Sequence, residues 1–145
     1  MKQNRVWLLS VALMVIALMV SASPASADPV RARPLHPEQH FDVTMYRESD
    51  GWIIADTNGD GKTDYALKLD QNLRKEIEVI DFNNDGSMDN FYFYRRDARI
   101  REEIDTNHNG RIDLWIHIEG GIYIVRYERD TNHDGQIDLV KRFVE

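Results

Sequence analysis

A nine-residue pattern, Asp-x-Asn-x-(Asp/Asn)-Gly-x-x-Asp, recurs four times in the chain. Its copies begin at Asp56, Asp81, Asp105 and Asp130, each 24 or 25 residues after the one before. Positions 1, 3 and 5 are Asp56, Asn58 and Asp60 in the first copy and Asp81, Asn83 and Asp85 in the second. They are Asp105, Asn107 and Asn109 in the third, and Asp130, Asn132 and Asp134 in the fourth. Glycine follows at position 6 each time, and Asp64, Asp89, Asp113 and Asp138 close the pattern at position 9. Oxygen-bearing side chains at 1, 3 and 5, followed by a glycine that permits a sharp turn, are what a loop wrapped around a hard cation requires. Asp, Asn and Gly are also the commonest turn residues, so one copy alone could be a bare turn. Four in register, with Asp constant at both ends, favour ion loops.

Strands must position these loops. The segments 52–55, 65–69, 75–80, 90–94, 100–104, 114–118, 122–127 and 139–143 alternate and are rich in Ile, Val, Tyr, Phe and Trp. Period two in such residues argues for strand over helix. Away from the loops the segments are joined by short polar turns at Asp70-Gln71-Asn72, Arg96-Asp97-Ala98 and Glu119-Gly120-Gly121. One repeat is therefore loop, strand, tight turn, strand. Four repeats give an all-β fold, an antiparallel meander of about eight strands with every Asp-rich loop at one edge. A parallel solenoid with one coil per repeat is the alternative. Tyr65, Leu67 and Leu69, like Leu114, Ile116 and Ile118, mark one face as consistently apolar. The other face mixes Lys68, His117 and Arg142 with Phe91, Phe93 and Trp115. The first face is the one expected to be buried, by curling, closure or dimerisation.

The chain divides into three parts. Lys2 and Arg5, a mostly apolar run from Val6 to Val20, and Ala25-Ser26-Ala27 form a tripartite secretory signal over 1–27. The run is shorter than the roughly 20 residues of a spanning helix, so cleavage and no lasting membrane attachment are expected. No cysteine occurs, which removes both a lipid anchor and disulfides and leaves metal as the available supplement to a small exported core. Residues 28–40, with Pro29, Pro34 and Pro37, read as a flexible N-terminal arm, and 41–145 as the four-repeat domain. The net charge of −7, more negative once the basic signal is gone, argues against nucleic acid as a partner.

The loops resemble the first nine positions of EF-hand-type calcium loops. They are closer still to the Asp-x-Asn-x-Asp-Gly-x-x-Asp hairpin loops of integrin-type FG-GAP and related bacterial repeats, and similar motifs occur in many exported bacterial EF-hand-type proteins. The resemblance covers loops and flanking strands, roughly 51–143. Position 12, where an EF-hand has a bidentate Glu, is Leu67, Tyr92, Ile116 and Lys141, so the helical version is excluded and the position-9 Asp must close the site. A complete propeller does not fit, because its blades are longer than this repeat.

Ligands are then assigned at positions 1, 3, 5 and 9 through side chains and at position 7 (Lys62, Ser87, Arg111 and Gln136) through the carbonyl. Oxygen-only coordination with several carboxylates suits calcium better than magnesium. Up to four calcium ions are expected, at affinities of about 10⁻⁴–10⁻³ M as in extracellular modules. Asn109 leaves the Asp105 loop with fewer carboxylates, so it is expected to bind most weakly. His108 and His133, at position 4, read as solvated turn residues. The column of Phe91, Phe93, Trp115 and Tyr123 reads as cross-strand packing, with a platform for a glycan or protein partner as the alternative. With only Ser49 and Ser87 after the signal and no Cys, no nucleophilic triad is in prospect, and the chain is not read as an enzyme. The expected role is that of an exported, secreted or periplasmic, calcium-binding β-repeat. Its alternative is an adhesion or interaction module whose calcium is structural.

Overall fold

The computed structural model describes residues 30–31 and 34–143; the expected signal, 1–27, lies outside them. Its strands are β1 (Val30–Arg31), β2 (Trp52–Ala55), β3 (Tyr65–Leu69), β4 (Lys75–Ile80) and β5 (Asn90–Arg95). They continue as β6 (Ala98–Ile104), β7 (Leu114–Glu119), β8 (Tyr123–Arg129), β9 (Gln136–Ile137) and β10 (Leu139–Arg142). β2 to β8 and β10 form one open eight-stranded sheet in which chain neighbours are sheet neighbours, while β1 pairs with β9. Every pairing is antiparallel, so the meander holds and the parallel solenoid does not. Among the described residues no helix is long and apolar enough to cross a membrane.

The turn chemistry explains the meander. Arg96 and Asp97 both take positive φ, 53° and 62°, as a two-residue hairpin turn matched to the strand twist requires. Gly120 and Gly121 do the same between β7 and β8, at 60° and 80°. Three of the pairings carry a register shift close to these turns, between Lys68 and Leu69, Phe93 and Tyr94, and His117 and Ile118. Such bulges bend a strand and increase its twist.

The buried face is not the one expected from apolar consistency. Ala66, Ile77, Val79, Phe91, Phe93 and Trp115 are buried, whereas Tyr65, Leu67, Leu69, Leu114, Ile116 and Ile118 are only half-buried. The physical reason is the N-terminal segment, which covers the mixed face. Two 3-10 turns, Val43–Met45 and Glu48–Asp50, carry it over the sheet, and Gln39, Val43 and Tyr46 are buried beneath it. Tyr46 meets Trp52 edge-on with ring centres 4.7 Å apart, and Phe41 meets Phe91 at 5.5 Å. The Tyr46 hydroxyl donates to the His40 carbonyl at 2.6 Å and accepts from the His40 amide at 2.9 Å. Residues 34–40, expected as part of a flexible arm, are therefore packed from His36 onward.

The buried carboxylates on this covered face each have a partner. Glu103, 4% exposed, accepts from the Gln39 side-chain amide at 3.0 Å and pairs with Arg101 at 2.8 Å. Arg101 in turn lies over the Phe93 ring at 4.1 Å. Glu128 is held by Arg126 at 3.0 Å and His117 at 3.2 Å. Buried carboxylates without such partners would be strongly unfavourable.

Candidate functional site

All four Asp-rich loops lie at the same end of the sheet, between β2 and β3, β4 and β5, β6 and β7, and β8 and β10. The position-1 carboxylate anchors each loop by accepting from the position-6 glycine amide. The distances are 2.8 Å for Gly61 to Asp56, 2.8 Å for Gly86 to Asp81, 2.7 Å for Gly110 to Asp105 and 2.7 Å for Gly135 to Asp130. Those glycines have φ of 79° to 92°, a conformation that side chains resist. The Gly59 and Asp60 amides hold Asp56 as well, at 2.6 and 3.2 Å, and together with Gly61 they lower its pKa.

In the first, second and fourth loops the position-5 amide is shared. Asp60 donates to Asp56 at 3.2 Å and to the Asn58 side-chain oxygen at 2.8 Å. Asp85 donates to Asp81 at 3.3 Å and Asn83 at 3.0 Å, and Asp134 to Asp130 at 3.2 Å and Asn132 at 3.1 Å. One N–H thus gathers the oxygens of positions 1 and 3. The position-7 amides of Lys62, Ser87 and Gln136 then fix the position-5 carboxylates at 2.8 to 2.9 Å. The third loop differs. Its Asn109 amide donates to Asp105 at 3.2 Å, and Arg111 donates back to Asp105 at 3.2 Å, leaving Asn107 and Asn109 outside the wrapped arrangement.

Position 9 makes hydrogen bonds of its own. Its carboxylate staples the loop shut by accepting from position 2. Asp64 takes the Thr57 amide at 2.8 Å, the Thr57 hydroxyl at 2.7 Å and the Asn58 amide at 3.1 Å, all on Oδ2. Asp113 and Asp138 hold Thr106 and Thr131 with both oxygens, the amide on Oδ1 and the hydroxyl on Oδ2, and Asp89 holds the Phe82 amide at 2.9 Å. The Thr131 hydroxyl is the largest influence lowering the Asp138 pKa. Among the described residues no three His, Asp or Glu side chains gather into a metal-holding group, so the carboxylates at 1, 5 and 9 do not close on one another. Of the assigned ligand residues, positions 1, 3 and 5 come together in three loops, and position 9 stands apart with its own partners.

The loops are also tied to each other. The amides of Asp81, Asp105 and Asp130 donate to the carbonyls of Asp64, Asp89 and Asp113, each at 2.9 Å, so the end of one loop carries the start of the next. His108 Nδ1 lies 2.7 Å from Asp89 Oδ1, and His133 Nδ1 lies 3.2 Å from Asp113 Oδ2. Both histidines are exposed loop residues, as expected, that also approach the loop before their own, and the Asp89 carboxylate raises the His108 pKa. In loop one alone, a position-9 oxygen, Asp64 Oδ1, is buried without a hydrogen-bond partner.

Two contributors escaped the spacing argument. Position 8 is a core plug, with Met88, Ile112 and Ile137 all buried, and its apolar character in three copies was the available signal. Position 7 meets the N-terminal segment, Ser87 bridging to Asp42 and Gln136 pairing with Arg31. The aromatic platform fails on burial. Phe91, Phe93 and Trp115 lie at 0%, 6% and 2% exposure under that segment, and of the column only Tyr123 is exposed.

No family model matches the chain, and no curated protein matches it. Among solved structures, the chain is similar to the crystal structure of accessory secretory protein 1, 2 and 3 in Streptococcus pneumoniae. The TM-score is 0.48 and the identity 16%, over 78% of this chain and 21% of that one.

Proposed function

We propose that this is an exported calcium-binding β-repeat protein in which the ion rigidifies the loop edge of the sheet. The observation that carries the reading is the shared position-5 amide, which draws the oxygens of positions 1 and 3 together in the first, second and fourth loops. Asp56, Asn58 and Asp60, with Asp81, Asn83 and Asp85, and Asp130, Asn132 and Asp134, are the residues that would hold calcium. The donor set fits the ion, being all oxygen with mixed carboxylate and amide character. Bound calcium would supply positive charge among clustered carboxylates; the chain's own amides already orient the oxygens that receive it.

Export rests on the tripartite sequence of 1–27. The role is binding rather than catalysis, because similar carboxylates recur at every loop where one active site would need one. Asp81→Asn together with Asp85→Asn tests the assignment, as each change removes the charge and keeps one of the two side-chain oxygens that accept from the loop. One calcium equivalent should be lost by calorimetric titration. An unchanged stoichiometry in the folded variant would contradict it.

A further inference from the structure

The geometry points to a groove on the open face of the sheet that binds a small apolar carboxylate, a hydrocarbon chain ending in one carboxylate group. This site uses none of the loop ligands and stands apart from the calcium reading. The N-terminal segment, from His36 onward, packs on the opposite face. On the open face, strand register sets Leu114, Arg129 and Leu139 in one row and Ile116, Tyr127 and Lys141 in the next. Further toward the turns, the Phe143 ring lies 5.9 Å from that of Tyr127. Leu114, Ile116, Ile124, Leu139 and Phe143, with Tyr127 and Arg129, wall a groove of about 320 Å³. That volume is at the lower end of the roughly 300–1,000 Å³ of small-molecule sites.

The groove is apolar except for one cation. Arg129 stands between Leu114 and Leu139, and among the described residues it pairs with no carboxylate. Its one side-chain hydrogen bond there runs from Nη2 to the Thr106 hydroxyl, at 3.4 Å. A guanidinium carries five N–H donors, so most of Arg129's have no acceptor in the described chain. No carboxylate lines the groove. Glu102, opposite Ile116 in register, is already engaged by Arg99 at 2.6 Å. Lys141 adds a second cation beside the groove, its ammonium 5.1 Å from the centre of the Phe143 ring. Ile124 and Phe143 are about half exposed, at 49% and 48%, so apolar surface stays in water until an occupant covers it. That occupant must be apolar along its length and anionic at one end. Its carboxylate meets Arg129 at the loop-ward end. β8 runs about 17 Å from Arg129 back to Ile124 at the rise of a strand, a path that an extended acyl chain of medium length follows. The source is a free monocarboxylate, since a lipid would have to leave its bilayer to bring both tail and head into the groove.

Decanoate titrated into the isotope-labelled protein, in neutral buffer without added calcium, tests the site through the methyl signals of Leu114, Ile116, Ile124 and Leu139. These should shift together and saturate, while Ile77 and Val79, buried on the covered face, stay in place. Decanol carries the same tail without the charge and should bind about tenfold more weakly, the loss of one charge-assisted contact. Arg129→Gln should lower decanoate to the level of decanol and leave decanol binding unchanged. Leu139→Glu, at an exposed position opposite Arg129 on the edge strand, supplies an internal carboxylate and should abolish decanoate binding. It keeps the test open if Arg129→Gln does not fold. Equal affinity for decanoate and decanol, or no methyl shift in a folded chain at millimolar decanoate, would overturn the proposal. A dimer by sedimentation velocity in which these methyls are already covered would overturn it in favour of a second copy of the chain.

Discussion

Gln39 holds a buried carboxylate in place from outside the repeats. Its side-chain amide donates to Glu103 at 3.0 Å, and both residues are almost wholly buried. Replacing Gln39 by Leu keeps the volume and removes the donor, so unfolding in urea should show a loss of about 1–3 kcal/mol, the cost of leaving such a group unsatisfied. His108 carries a second test at this scale. Its pKa is raised by the hydrogen bond with Asp89, so the protonated form is favoured in the folded chain. That stabilisation is complete below the unfolded histidine value of about 6.5 and is lost as pH rises through the higher folded value. Thermal stability, measured without added metal, should fall over that window, and the fall should shrink in His108→Asn. A slope unchanged in the variant would remove that contact from the stability of the loops. The wrapped loops themselves were legible at this scale, because Asp, Asn and Gly at fixed offsets dictate which amides meet which oxygens. The position-9 staple was not, since it depends on Thr57, Thr106 and Thr131 presenting both an amide and a hydroxyl to the same carboxylate.

At the scale of elements, alternation located the strands and tight-turn chemistry ordered them, so the meander could be read from residues 52 to 143. Choosing the buried face could not be done from strand composition. The face with Leu67, Leu69 and Ile116 looks more apolar, yet the cover is supplied by a segment whose prolines and polar residues disguise it. Phe41, Val43 and Tyr46 lie against the sheet only because the 3-10 turns aim them there, and no periodicity marks such turns. The two faces should respond differently to truncation. Phe91→Ala on the covered face should destabilise by about 3–5 kcal/mol, as for large buried aromatics. Tyr123→Ala, at an exposed position, should stay within about 0.5 kcal/mol. Comparable losses from both, by urea unfolding, would contradict the assignment of the core.

For the whole molecule, the loop edge concentrates negative charge along one side of a sheet whose other end is closed by short turns. The backbone bonds from Asp81, Asp105 and Asp130 to the preceding loops make that edge continuous, so an ion bound in one loop, as proposed, would stiffen its neighbours. Calcium is therefore expected to act as a folding ligand, raising the unfolding temperature by mass action as the sites fill. The central claim is tested most directly by calorimetric titration of calcium into the metal-stripped protein, with magnesium as control. Three or four equivalents of calcium, with no comparable heat from magnesium, are the expected result. A folded chain that gives no calcium heat up to millimolar concentration would contradict it, and the four loops would then be turns held by their own amides.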